Sequence, residues 1–140
     1  KGYKVIQDYE PDLVQVRADI TECDHFVLVY PNWWCAMPAL LKGFFDRAWM
    51  PGFAFHFHKK GWGWDQLISG KSARVIGLSK LQPWPTRFLF GDYTHSIARG
   101  ILGLSGFKDR LTRVGSSENL STTQKDRWMR RIEALAKAAR

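Results

Sequence analysis

The sequence predicts one α/β domain over residues 1–140, with a parallel sheet lying between layers of helices. Three observations predict it. The continuous apolar runs "HFVLVY" and "SARVIGLS" have the length of strands buried on both faces. Amphipathic stretches of helical spacing stand around those runs, and such alternation is the pattern of parallel strands joined by helical crossovers. The 140 residues, 45% of them hydrophobic, suffice for one core and are too few for two.

In "YEPDLVQVRADITECD" residues Leu13, Val16, Ile20 and Cys23 recur at helical spacing behind a Glu-Pro-Asp start that suits a helix N-terminus. "HFVLVY" follows as the first buried strand and stops at Pro31. Pro38 opens a second helix, "PALLKGFFDRAWM", because a proline in the first turn lacks only an N–H that has no helical partner there. Leu40, Leu41, Phe44, Phe45 and Ala48 give that helix its apolar face, and Pro51-Gly52 ends it. In "GFAFHFHKKGWGW", Phe53, Phe55 and Phe57 alternate with Ala54, His56 and His58, an extended excursion from the main sheet. "SARVIGLS" is the second buried strand and "RLTRVG" the third; between them Ile97, Ile101 and Leu104 keep helical spacing. Ser-Thr-Thr-Gln then starts a last helix, Ser121 to Arg140, with Trp128, Ile132, Leu135 and Ala136 on one face.

In open parallel sheets the ligand crevice lies beyond the carboxyl ends of the strands. That rule sets the loop Pro31 to Met37 beside the loop Leu78 to Trp84. Trp33, Trp34 and Trp84 then shape a flat apolar slot for a planar ring, with the backbone of Asn32 to Cys35 free to bond its heteroatoms. The competing reading leaves these tryptophans as plugs of the sheet end or as a subunit contact.

Composition narrows the partners. The formal charge of +8 gathers late in the chain, in "RWMRRIEALAKAAR" and at Arg110 and Arg113, without a nucleic-acid-binding signature, so it reads as a solvated helix face and no nucleic acid partner is expected. No apolar run reaches the roughly 18 residues of a membrane span, and the start "KGYKVIQDYE" lacks the apolar segment of a signal peptide. Cys23 and Cys35 have no metal-ligand or CxxC spacing, which fits a reducing cytoplasm. His56 and His58 share a strand face but lack a third ligand, so no metal site is assigned. His95 with Asp92 or Ser96 could suggest acid–base work, but all three stand at a helix start, where Asp92 or Thr94 reads as the cap. Cys35 stays open between a reactive thiol and a small filler, because no histidine lies close to it in sequence.

The stretch "YPNWWCAMPALLKGFFDRAWMPGFAF" resembles the signature of the flavodoxin-like NAD(P)H dehydrogenases of the quinone-reductase family, in its short bacterial form. The likeness continues more loosely through "GKSARVI", "PWPTRFLFGD" and "ILGLSGFK" to the last helix. It implies a flavodoxin-like three-layer sandwich and a homodimer that passes hydride from NAD(P)H through FMN or FAD to a quinone or similar small-molecule acceptor. Carried over by position, Pro31, Asn32, Trp33, Trp34 and Cys35 line the flavin ring, together with Leu78, Ser79 and Lys80 of the second loop. Phe55 and Phe57 match the aromatic pair that reaches over the partner's flavin, so that Trp34, Phe55, Phe57 and Trp84 bound the acceptor pocket. Lys42, Asp46 and Arg47 read as helix-surface ion-pair residues, since the cofactor carries the reactive atom.

Two departures accompany the resemblance. The family's second flavin loop is rich in Thr, Gly or Asp, whereas here it is "GLSKLQPW", with Ser79 as its hydroxyl and Lys80 as a cation for the electron-rich end of a reduced ring. The family domain also begins with a strand and a phosphate-binding loop that have no counterpart after Lys1, so those parts are expected to precede the given sequence. A second reading therefore stands beside the enzyme: a non-catalytic regulatory or interaction subunit on the same scaffold, with weakened flavin binding.

Overall fold

In the computed structural model, which describes residues 7–92 and 94–138, the alternation of strands and helices is present. The chain runs α1 (Pro11–Glu22), β1 (His25–Pro31), α2 (Ala39–Ala48), β2 (Phe55–Phe57), β3 (Trp64–Gln66), β4 (Ser72–Leu78), α3 (Pro83–Phe90), α4 (His95–Ile97), a π-helical segment (Ala98–Gly103), β5 (Lys108–Val114) and α5 (Thr122–Lys137). Residues 1–6, Tyr93 and the expected last two residues of the final helix, Ala139 and Arg140, lie outside the described residues.

Strands β1, β4 and β5 form a parallel sheet in that spatial order. Its register pairs His25 with Ser72 and Ser72 with Lys108 at one end, and Pro31 with Leu78 and Leu78 with Val114 at the other. The three strands therefore end level, and the loops that leave Pro31, Leu78 and Val114 start side by side. That alignment positions the site.

The main hydrophobic cluster occupies one face of this sheet. Ile20 of α1, Phe45 of α2, Trp49 beyond it, and Ile97 and Leu102 pack there on Tyr30, Ala73, Val75 and Phe107. Trp49 is the hub: its ring lies 5.2 Å from Phe45, 5.9 Å from Phe26 and 6.2 Å from Phe107, and its Nε1 donates to Ser105 Oγ at 2.7 Å. A buried indole keeps its packing value when its single donor finds an acceptor in this way.

The opposite face corrects one expectation. Side chains alternate along a strand, so Phe26, Leu28 and Tyr30 take the core side while Val27 and Val29 take the other, where they remain 54% and 56% exposed. β1 is therefore not buried on both faces among the described residues, and α5 contributes no buried residue to cover it. Trp128, Ile132 and Leu135 of α5 are half-buried, while Ala136 is exposed.

Three further differences have local causes. Pro83 to Phe90 form helix α3, whose first two residues fall within the expected loop Leu78 to Trp84, because Pro83 and Pro85 both stand in the first turn, where missing N–H groups cost nothing. The segment of Ile97, Ile101 and Leu104 is mostly π-helical, which widens the turn, so the fully buried pair is Ile97 and Leu102, five residues apart. β5 also starts two residues earlier than "RLTRVG", at Lys108, whose N–H donates to Lys71 O at 2.9 Å. The aromatic excursion is a two-stranded antiparallel hairpin, β2 with β3. It is pinned to the π segment by Trp64 Nε1 donating to Leu104 O (2.9 Å) and Gln66 Nε2 donating to Gly103 O (3.0 Å).

Candidate functional site

Where β1 ends, Asn32 N donates to Leu78 O at 2.7 Å and holds the loop in register with β4. Trp33 and Ala36 then exchange both backbone hydrogen bonds, at 3.0 and 2.9 Å, which closes a two-residue turn around Trp34 and Cys35. Such turns require positive φ at both central positions, the role usually given to Asn and Gly. Here φ is 53° at Trp34 and 57° at Cys35. Left-handed backbone costs a residue with a Cβ about 1–2 kcal/mol, and strain of this kind gathers at ligand clamps.

The strained turn has two chemical consequences. The indole of Trp34 stands fully exposed, at 100% of its possible surface. The N–H groups of Trp34 and Cys35 have no hydrogen-bond partner among the described residues. The N–H groups of Asn32 and Trp33 are used by the sheet and the turn, so the open N–H donors of this loop are those of Trp34 and Cys35.

The loop after β4 faces this turn. Ser79 is buried; its N–H donates to Val114 O at 2.9 Å and its carbonyl accepts from Ser117 N at 3.0 Å, so the loops after β4 and β5 brace each other. Lys80 Nζ lies 3.5 Å from Glu118 Oε2. Between the two loops opens a cleft of about 450 Å³. The turn supplies Asn32, Trp34 and Cys35, the facing loop supplies Ser79, Lys80 and Leu81, and α3 adds Thr86 and Phe90. Asn32 Oδ1 is buried without a hydrogen-bond partner among the described residues, an acceptor waiting for an N–H.

Five of the expected ring-contacting residues thus meet at one cleft: Asn32, Trp34, Cys35, Ser79 and Lys80. Pro31 and Leu78 are the paired last residues of the two strands beneath it and do not line it. Trp33 and Trp84 are exposed and also stand outside its lining. Phe55 and Phe57, 5.0 Å apart, line a second cleft of about 730 Å³ between α2, β2 and the π segment, with Met37, Trp49, Ile101 and Leu104. Within one chain, the four residues expected to bound an acceptor pocket are therefore divided between two clefts and the surface. Thr86 and Phe90 were not foreseen, because they sit on α3; the signal available was a proline start followed by Gly91, whose φ of 80° ends that helix.

Several charged groups that do not line this cleft serve the fold. Asp92 Oδ1 accepts from Thr94 N (3.1 Å) and Thr94 Oγ1 (2.5 Å), while Oδ2 accepts from Arg113 Nη2 (2.5 Å). Desolvation pushes this carboxyl up, but the Thr94 and Arg113 hydrogen bonds outweigh it and bring its pKa down to about 2. It serves the backbone at the start of α4 and ties that turn to β5. Lys42 and Asp46 pair at 2.5 Å along α2, and Arg47 pairs with Glu10 at 2.7 Å, as ion-pair residues of the helix surface. His58 is held by Asp65 across the hairpin at 3.0 Å. No helix among the described residues is long and apolar enough to cross a membrane.

Comparison with known proteins agrees with this fold. Residues 4–139 match a family model described as the flavodoxin-like fold. Over 72 residues, 49% of this chain and 37% of the relative, the sequence is 43% identical to YcaK of Escherichia coli (strain K12), an uncharacterised NAD(P)H oxidoreductase. It is 23% identical over 142 residues, 90% of this chain, to the ribosyldihydronicotinamide dehydrogenase [quinone] of Rattus norvegicus, and spans 58% of that protein. Among solved structures, Smu.1420 from Streptococcus mutans superposes with a TM-score of 0.79 at 28% identity, over 90% of this chain and 66% of that one. The chain thus spans from about a third to two thirds of the length of these relatives.

Proposed function

The chain belongs to the family of the flavodoxin-like fold, and from that premise we propose that it is a flavin-dependent NAD(P)H oxidoreductase with a quinone-like acceptor. One observation carries the proposal. The strained Trp34-Cys35 turn and the Ser79–Leu81 loop converge at the carboxyl end of a parallel sheet, around a cleft that offers an exposed indole, two open N–H donors and an unpartnered Asn32 acceptor. A flavin ring is flat, apolar on its faces and lined along one edge by alternating donors and acceptors, so the residues present fit it.

Trp34 would stack on the ring or on whatever lies against it, while the N–H groups of Trp34 and Cys35 and Asn32 Oδ1 would hold its polar edge. Ser79 would close the floor, and Lys80 would place a positive charge beside the part of the ring that becomes electron-rich on reduction. FMN or FAD held by these residues would supply the hydride-transfer chemistry. Leu81 and Phe90, which line the cleft, would pack against the bound ring. The exposed Phe57 edge of the larger cleft suits a second copy of the chain, which would carry Phe55 and Phe57 toward the partner's ring and complete the acceptor pocket. Two free thiols suit work in a reducing cytoplasm.

The test is direct. Purified protein titrated with FMN and with FAD is expected to bind one of them, turn yellow, and bleach on addition of NADH or NADPH under exclusion of air. Protein that takes up neither flavin at saturation would overturn the enzyme reading and leave the non-catalytic subunit in its place.

A further inference from the structure

A second polar concavity lies next to the ring cleft, and nothing in the proposed chemistry uses it. It has a volume of about 640 Å³ and sits between the first turns of α5 and the loop that joins β4 to α3. Its walls include Arg113, Arg127, Trp128, Arg131 and Asn119, and no Asp or Glu lines it. The three arginines are not equivalent. Arg113 is neutralised by Asp92 at 2.5 Å. Arg127 and Arg131 have no carboxylate within ion-pair distance among the described residues.

Arg127 and Arg131 stand four residues apart, so they project from the same side of α5 and repel each other. A dianion between them would turn that repulsion into two charge-assisted pairs, and the guanidinium fork matches phosphate oxygens two at a time. Arg131 also lies 5.1 Å over the Trp128 ring, which sets a flat apolar surface directly beside the cations. Phosphate next to an aromatic plane is the chemistry of a nucleotide. The N-terminus of α5 does not supply the site, since it is closed by its own capping box, Ser121 with Gln124. Glu118, the nearest acid in the loop, is turned toward Lys80.

The two clefts share their loops. Gln82 and Pro83 of this concavity follow directly on Ser79 to Leu81 of the ring cleft, and Ser116 and Asn119 flank the Glu118 that meets Lys80. A ligand with a planar ring at one end and a phosphorylated adenosine at the other would run along that shared edge. Resting on the oxidoreductase reading above, we propose that this concavity binds the adenosine end of the nicotinamide hydride donor, and that Arg127 and Arg131 favour a donor carrying a 2′-phosphate.

The probes are adenosine 2′,5′-bisphosphate and adenosine 5′-monophosphate, titrated calorimetrically into the purified protein and into an R127Q/R131Q variant. Both arginines are exposed, so the variant is expected to melt with the parent protein. The parent should bind the bisphosphate about tenfold or more tightly than the monophosphate, and the variant should lose that preference. In turnover the variant should raise KM for NADPH by a similar factor while leaving kcat and the KM for NADH unchanged. Equal binding of the two nucleotides, inorganic phosphate binding as tightly as the bisphosphate, no binding at all, or an unchanged preference in the variant would each overturn the site and return the arginines to a solvated helix face. Flavin uptake is read separately by colour: its failure alone removes the enzyme reading, whereas uptake without nucleotide discrimination removes only this proposal.

Discussion

At Trp34 and Cys35 the chain holds two side chains in backbone angles that glycine would adopt without strain, and the exposed indole and the open N–H groups follow from those angles. Cys35→Gly is therefore expected to stabilise the fold by about 1 kcal/mol in urea unfolding, while loosening the turn and weakening flavin uptake. Trp34→Ala should leave unfolding within about 0.5 kcal/mol of the parent, since the indole buries nothing in the free protein. The same change should weaken flavin binding several-fold, by the loss of about 1 kcal/mol of stacking; equal affinity would remove Trp34 from the site. Asp92 gives a pH signature. Its carboxyl sits at about 2 against an ordinary 3.8, so its contribution is complete above about pH 4 and is lost as the pH falls toward 2. That loss should amount to about 2 kcal/mol in acid unfolding, and Asp92→Asn should flatten the stability profile across this window.

At the scale of elements, the loops after β4 and β5 are packed so closely that Gly115 has no room for a side chain. A Cβ there would lie 2.5 Å from Pro83 Cδ and 2.8 Å from Gln82 Oε1. Gly115→Ala should therefore cost about 1–3 kcal/mol through overpacking and displace the loop whose preceding residues line the ring cleft. Flavin affinity should fall with stability, which titration of the variant would read; a variant with altered stability and parental affinity would show that the cleft does not depend on this brace. The sequence made the Trp loop legible because a buried strand followed by Pro and aromatic residues marks a sheet end. It hid α3 because Pro83 and Pro85 look like helix breakers until their place in the first turn is known. It hid the π segment for a similar reason. Ile97, Ile101 and Leu104 satisfy α-helical spacing, and only tertiary packing selects the wider turn that buries Leu102 instead.

For the molecule as a whole, periodicity was enough to order the three parallel strands and to align two loops at one end of the sheet, because apolar runs and strand-end rules are local signals. Which aromatic rings share a cleft was not local. Phe55 and Phe57 belong to a hairpin fixed by Trp64 and Gln66 on the carbonyls of Leu104 and Gly103, and that docking turns them onto the larger cleft and away from Trp34. The same docking leaves Phe57 55% exposed at the rim of an apolar cavity, a surface that a monomer gains nothing from presenting. A two-fold dimer would bury it on both copies at once and bring each hairpin toward the other copy's ring. Phe57→Asp is then expected to shift the protein from dimer to monomer in sedimentation, since a carboxylate at such a contact leaves an unpaired charge. Flavin uptake should persist, because Asn32, Trp34, Cys35, Ser79 and Lys80 all come from one chain. Quinone turnover should fall with the loss of the partner's aromatic wall. A parent protein that sediments as a monomer, or a Phe57→Asp dimer with full turnover, would separate the hairpin from the acceptor pocket.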